Sequence, residues 1–204
     1  MTPARRLVLA SASSRRRELM AEAGYQFDVV TADVDETLPA GLSPEDAAVE
    51  VARRKAEDVA PRVKGALVLA ADTVVVTPEG EVVGKPADEA DARRMLRALS
   101  GSTHRVITGV YLVDTETGAA VSRAVATRVV FERMTDAEIE AYVASGEALG
   151  KAGAYAIQET GDRFVRRVEG SFTNVVGLPV EAVGEMLARI ARPRRAARSA
   201  GKGG

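Results

Sequence analysis

The run Ala66-Leu67-Val68-Leu69-Ala70-Ala71-Asp72-Thr73-Val74-Val75-Val76 decides how this chain is read. It is apolar almost throughout, and Pro78-Glu79-Gly80 turns it into Val82-Val83, so it reads as a buried strand opening a hairpin. Asp72 breaks the pattern. A carboxylate inside such a strand is costly unless it is paired, bound to a metal or open to a cleft. A bulge or strand end, with Asp72 capping local backbone groups, is the structural alternative. The apolar run continues on both sides, which favours a functional carboxylate.

Working outward, Arg6–Ala10 is a short apolar strand ending in Ser11-Ala12-Ser13-Ser14, whose hydroxyls suit the cap of a helix that Gly24 stops. Gln26–Thr31 is a second strand candidate. Ser43-Pro44-Glu45-Asp46 opens a helix that Pro61 ends. After the central hairpin come an amphipathic helix over Asp88–Leu99 and two strands, Arg105–Asp114 and Ala119–Phe131, joined by Thr115-Glu116-Thr117-Gly118. Thr135-Asp136-Ala137-Glu138 is a capping box. The glycine-dotted stretch 146–161 has no clean period. A strand over Phe164–Val168 and a helix over Pro179–Ile190 follow. The mixture predicts a mixed α/β class over residues 1–190. The Gly/Ala/Arg-rich stretch 191–204 is expected to be a basic disordered tail.

Composition removes several classes of function. The 204 residues contain no cysteine, which excludes disulfide frameworks, thiol nucleophiles and zinc–thiolate sites. The single histidine, His104, rules out a histidine metal cluster and speaks against a Ser-His-Asp triad; it reads as structural. Lys and Arg number 28 against 29 Asp and Glu, but five of the cations follow Ala191, so residues 1–190 carry 23 against 29, a net −6. A body this acidic disfavours nucleic acid as a partner. No apolar run reaches the roughly 18 residues that span a bilayer. There is no signal-peptide core, and a cytoplasmic location is expected. A homodimer is compatible with the sequence.

Polar residues where apolar ones are expected locate the chemistry. On the 43–60 helix, Ala48, Val51, Ala52 and Val59 form one stripe, and Lys55 falls in its middle. It either snorkels to a rim or faces an anion. Arg16 lies on the side of Leu19, Met20 and Ala23. Arg15 sits at the helix start beside the serines. Cations there oppose the helix dipole, a small cost that an anion would repay, since free N–H groups, hydroxyls and guanidinium groups converge on what a phosphate needs. Lys85, in Gly84-Lys85-Pro86, is a fourth candidate. Asn174 carries no role by pattern alone. Asp33-Val34-Asp35-Glu36-Thr37 resembles the D-x-D-x-T loop of haloacid-dehalogenase-type phosphatases. The later acidic pairs Glu45-Asp46, Glu57-Asp58 and Asp88-Glu89 all fall in or at the start of predicted helices, so none completes that site.

Taken together, the motifs resemble the Maf family of nucleoside triphosphate pyrophosphatases from about Leu7 to Leu187. Leu9-Ala10-Ser11-Ala12-Ser13-Ser14-Arg15-Arg16 is similar to that family's opening A-S-x-S-P-R-R, with Ser14 in place of Pro. Asp35-Glu36-Thr37, the Lys55 helix, Ala71-Asp72-Thr73-Val74-Val75, Gly84-Lys85-Pro86 and Leu99-Ser100-Gly101 follow in family order. Gly150-Lys151-Ala152-Gly153-Ala154-Tyr155-Ala156-Ile157-Gln158 and Gly170-Ser171-Phe172-Thr173-Asn174-Val175-Val176-Gly177-Leu178-Pro179 complete the set.

The resemblance implies a two-lobed mixed α/β fold like that of inosine-triphosphate pyrophosphatases, with a cleft between lobes. It implies hydrolysis of a nucleoside triphosphate between its α and β phosphates with a divalent cation, Mg²⁺ or Mn²⁺. Asp72 matches the family's proton acceptor. Arg15, Thr73 and Gln158 match positions tied to substrate choice. Ser11, Arg16, Lys55 and Lys85 match phosphate-side positions, and Glu36, with Asp72, an acidic position for the metal. The Gly-Lys-Ala-Gly-Ala-Tyr segment is similar to the branch acting on dTTP and UTP; a 7-methyl-GTP enzyme and a cell-division regulatory binding protein are the alternatives. Ala156 and Glu159 stand where that branch commonly has glycines, which implies a stiffer, more acidic loop.

Overall fold

A computed structural model describes residues 5–191 of the chain. The central run forms β3 (Ala66–Val76), eleven residues long. It sits inside a seven-stranded mixed sheet with β1 (Arg6–Leu9), β2 (Asp28–Val29), β4 (Val82–Val83), β5 (Thr103–Asp114), β6 (Ala120–Phe131) and β7 (Val165–Glu169). The order is β2-β1-β3-β5-β6-β7, with β4 on β3. β1 runs parallel to β2 and β3; β3, β5, β6 and β7 are antiparallel in succession. The mixed α/β expectation is met.

The described residues form six α-helices: α1 (Ser14–Glu22), α2 (Pro44–Val59), α3 (Glu89–Leu99), α4 (Asp136–Ala144), α5 (Phe172–Val176) and α6 (Val180–Ile190). Their starts are capped as the sequence indicates. Ser13 Oγ accepts from Arg16 N, Ser43 from Asp46 N, Asp88 from Asp91 N, and Thr135 and Glu138 close a capping box.

Alternation along β3 sorts its side chains between two cores. Leu67, Leu69, Ala71 and Val75 join the large core with residues of α3, α4 and α6. Val68, Ala70, Val74 and Val76 face the other way, toward Ala48, Ala56 and Val59 of α2. Asp72 shares the α2 face, and Thr73 the opposite one. The α2 face packs without spacing: Gly109 of β5 is the register partner of Asp72, and a Cβ placed on it would lie 2.3 Å from the Ala48 carbonyl carbon and Val49 nitrogen. Only glycine lets the helix backbone rest on the strand there.

The structure corrects three local expectations. The Gln26–Thr31 strand shrinks to Asp28–Val29, an edge position where Val29 is exposed and has little to pack on. The aperiodic 146–161 stretch contains one 3₁₀ turn, Ala152–Ala154, and leads into a second, Thr160–Phe164. α5, capped by Ser171, is too short for a helical period to show. Of the expected basic tail, 191–204, residues 192–204 lie outside the described residues.

Candidate active site

A cleft of about 390 Å³ opens beside β3, and all nine residues singled out from the sequence line it: Ser11, Arg15, Arg16, Glu36, Lys55, Asp72, Thr73, Lys85 and Gln158. Its centre is a chain of alternating charges. Because α2 lies on the Asp72 face of β3, the central lysine of its apolar stripe meets the carboxylate: Lys55 Nζ donates to Asp72 Oδ1 at 2.7 Å. Both side chains are nearly sealed, at 7% and 12% exposure. The same ammonium reaches Glu36 Oε1 at 3.1 Å, and Lys85 Nζ donates to Glu36 Oε2 at 3.4 Å. Partial burial alone would push the Glu36 carboxyl up, but Lys55 and then Lys85 outweigh it and hold it below the ordinary value.

The loop before α2 presents Glu36. Asp35 Oδ1 accepts from Thr37 N at 2.8 Å, and Arg54, off the buried stripe, donates to the Thr37 carbonyl at 3.1 Å. The phosphatase-like reading of this loop fails on geometry: Asp33 and Asp35 are exposed and do not line the cleft.

The opposite wall is the start of α1. Arg16 lies across it, with Nε donating to the Gly177 carbonyl at 2.8 Å, Nη2 to Thr73 Oγ1 at 3.1 Å and Nη1 to Ser11 Oγ at 3.5 Å. A guanidinium has five N–H groups, so three are spent on the protein and two remain for an anion. Burial pushes this group down from its ordinary value, against the upward pull of Asp72 and Glu36. Behind it, Thr73 Oγ1 lies 2.9 Å from Thr108 Oγ1, its cross-strand partner, and Thr108 donates to the Asn174 carbonyl at 3.3 Å. Asn174 is fully buried, donating from Nδ2 to the Val106 carbonyl and to Thr127 Oγ1, both at 3.0 Å. Its role is therefore to hold α5 on the sheet.

The third wall is the loop 150–158. Gly153 N donates to the Gly84 carbonyl at 3.0 Å, tying this loop to the turn that carries Lys85. The turn needs glycine: Gly153 has φ +71°, and a Cβ there would approach Val75 to 2.8 Å. Ala156 N donates to Tyr142 Oη at 3.2 Å. Tyr155, which lines the cleft, places its hydroxyl 2.9 Å from His104 Nε2. His104 packs edge-on against Phe131 and Tyr155, and burial lowers its pKa to about 4, so it is a neutral core residue as expected. Three participants were missed in the sequence. Thr108 looks like any strand threonine, Gly177 contributes only a carbonyl, and Lys151, inside a quoted motif, was given no role.

Among the described residues no group of three or more His, Cys, Asp or Glu is placed to hold a metal, and no helix is long and apolar enough to cross a membrane.

The Maf-like protein family model matches residues 6–190. A dTTP/UTP pyrophosphatase of Geotalea uraniireducens is 51% identical over 184 residues, 90% of this chain and 94% of the relative. One of Anaeromyxobacter dehalogenans is 52% identical over 190 residues, 92% and 95% of the two chains. One of Bdellovibrio bacteriovorus is 45% identical over 194 residues, 93% and 100%. Among solved structures, a HAM1 protein from Coxiella burnetii aligns over 91% of this chain and all of its own with a TM-score of 0.50 at 17% identity, a likeness of fold.

Proposed function

The chain belongs to the Maf-like protein family, and on that premise we propose that it hydrolyses the α–β phosphoanhydride of UTP and dTTP, giving the nucleoside monophosphate and pyrophosphate. The observation that carries this reading is the buried Asp72–Lys55 pair facing a half-free Arg16 across one cleft.

Lys55 holds Asp72 Oδ1, which leaves Oδ2 for a water molecule. Asp72 orients that water and accepts its proton as the oxygen attacks phosphorus. The bridging P–O bond breaks, and pyrophosphate leaves with the electron pair. Charge then grows on the leaving group, where the two free N–H groups of Arg16, the Lys85 ammonium and the exposed N–H groups at the start of α1 are the stabilising donors. Ser11 and Thr73 steady Arg16, and Gln158 and Arg15 are the groups left to read the nucleoside.

The donor set suits a divalent cation of the Mg²⁺ or Mn²⁺ type. Glu36 and Asp72 are the two carboxylates that line the cleft, and hard cations of this kind commonly take one or two carboxylates and complete their shell with phosphate oxygens and water. When bound there, the ion would neutralise phosphate charge.

Product analysis tests the proposal. UTP and dTTP with Mg²⁺ or Mn²⁺ should release pyrophosphate, and Asp72→Asn should abolish release while the fold survives. Orthophosphate as the product, or full activity in Asp72→Asn, would overturn it.

A further inference from the structure

Five cationic and two acidic side chains line the cleft, and the cations come from four separate segments of the chain. Arg15, Arg16, Lys55 and Lys85 approach from α1, α2 and the turn after β4. Lys151 approaches from the loop 150–158, the wall that also presents Tyr155, Ile157 and Gln158. Its side chain is only 11% exposed. A poorly hydrated ammonium beside a cleft is a strong attractor for polyanions.

A nucleoside triphosphate is polar end to end, with a polyanion at one end and a base at the other. An uncompensated cation on the loop that also carries Gln158 would draw the polyanion toward the wall meant for the nucleoside and so allow it to bind the wrong way round. In the reversed pose the anhydride lies away from Asp72, and no attack follows. Inorganic polyphosphate would reach the same cation.

The loop carries its own remedy. Glu159, next to Gln158 and not itself part of the lining, folds back so that Oε2 meets Lys151 Nζ at 2.5 Å. Glu159 is 41% exposed, so little of the fold depends on it. Resting on the pyrophosphatase reading above, we propose that Glu159 is a specificity-determining residue. By neutralising Lys151 it removes the cation that the Gln158 loop would otherwise add, and leaves the phosphates to Arg16, Lys55 and Lys85.

Inhibition of UTP hydrolysis by inorganic tripolyphosphate, in the full chain with Mg²⁺ in excess, tests this. Glu159→Gln should lower the tripolyphosphate inhibition constant about tenfold, the size of one newly exposed charge contact, and introduce inhibition by high UTP. Adding Lys151→Met to that variant should return both behaviours to those of the parent chain. An unchanged inhibition constant in Glu159→Gln, or no reversal in the double variant, overturns the proposal. So does a rise in KM shared by Glu159→Gln and Lys151→Met with inhibition unaltered, which is the behaviour of a purely mechanical staple. Calorimetric titration of tripolyphosphate into both chains reads the same charge effect without turnover. If the parent chain fails to make pyrophosphate from UTP, the functional reading falls while the charge argument is still tested by that titration.

Discussion

Lys55→Met is the perturbation that weighs most on this structure. Methionine keeps the methylene stem in the apolar stripe of α2 and removes only the ammonium. Asp72, at 12% side-chain exposure, is then left without the partner it holds at 2.7 Å. Removing one member of a buried pair typically costs about 3–5 kcal/mol. Glu36 adds little, since it is half exposed and still has Lys85. For a domain of this size each kcal/mol moves Tm by roughly 2–4 °C, so a drop on the order of 10 °C is expected. Asp72→Asn added to Lys55→Met should recover part of it, because the uncompensated charge is gone. The assay is thermal unfolding followed by circular dichroism on the parent, both single variants and the double, from which a coupling energy is taken. A loss for Lys55→Met within about 0.5 kcal/mol, as for an ordinary surface change, would refute the reasoning. Additivity of the two single losses to within about 0.5 kcal/mol would do the same.

Other outcomes follow from the same contacts. His104 carries a pKa lowered to about 4 by burial, so between roughly pH 6.5 and that value the unfolded chain binds a proton the folded chain does not. Stability present above that window should fall by about 1.4 kcal/mol per pH unit on acidification, and His104→Leu should remove this share of the slope in melts from pH 7 to 4. Thr108→Val deletes the hydroxyl that braces Thr73 behind Arg16; at about 1 kcal/mol for a lost hydrogen bond, KM for UTP should rise roughly fivefold, with Thr108→Ser close to the parent. No change in KM would remove Thr108 from the site's support. Gly109→Ala forces a methyl group to within 2.3 Å of the α2 backbone and should cost about 3 kcal/mol or more, measured as a lost or strongly lowered Tm.

Charges that interrupt an apolar period were the legible part of the site. Asp72 and Lys55 stand out because each falls where its own element's repeat demands a buried apolar side chain, and the fold satisfies both by facing them toward each other. The helix starts were equally plain, since Ser13, Ser43, Asp88 and Thr135 announce caps through local bonding alone. What escaped depends on partners far along the chain. Arg16 itself stood out, but the Gly177 carbonyl that holds it lies 161 residues away, and Thr108 is distinguished from other strand threonines only by facing Thr73 and α5. Glu159 stood out as a departure from the family pattern, but its partner Lys151 became evident only once the loop closed back on itself. Two-residue β2 and five-residue α5 are too short for any period to appear.

The bare contact at Gly109 also determines how the cleft can move. With no side chain between the two backbones, α2 cannot slide or roll on β5 without collision, so Lys55 and Asp72 form a stationary anvil. The other two walls are made of turns and short segments: Ser11–Ser14 and residues 150–158. The loops that line the cleft rest on few contacts, while Lys55 and Asp72 are held by the sheet and the helix seated on it.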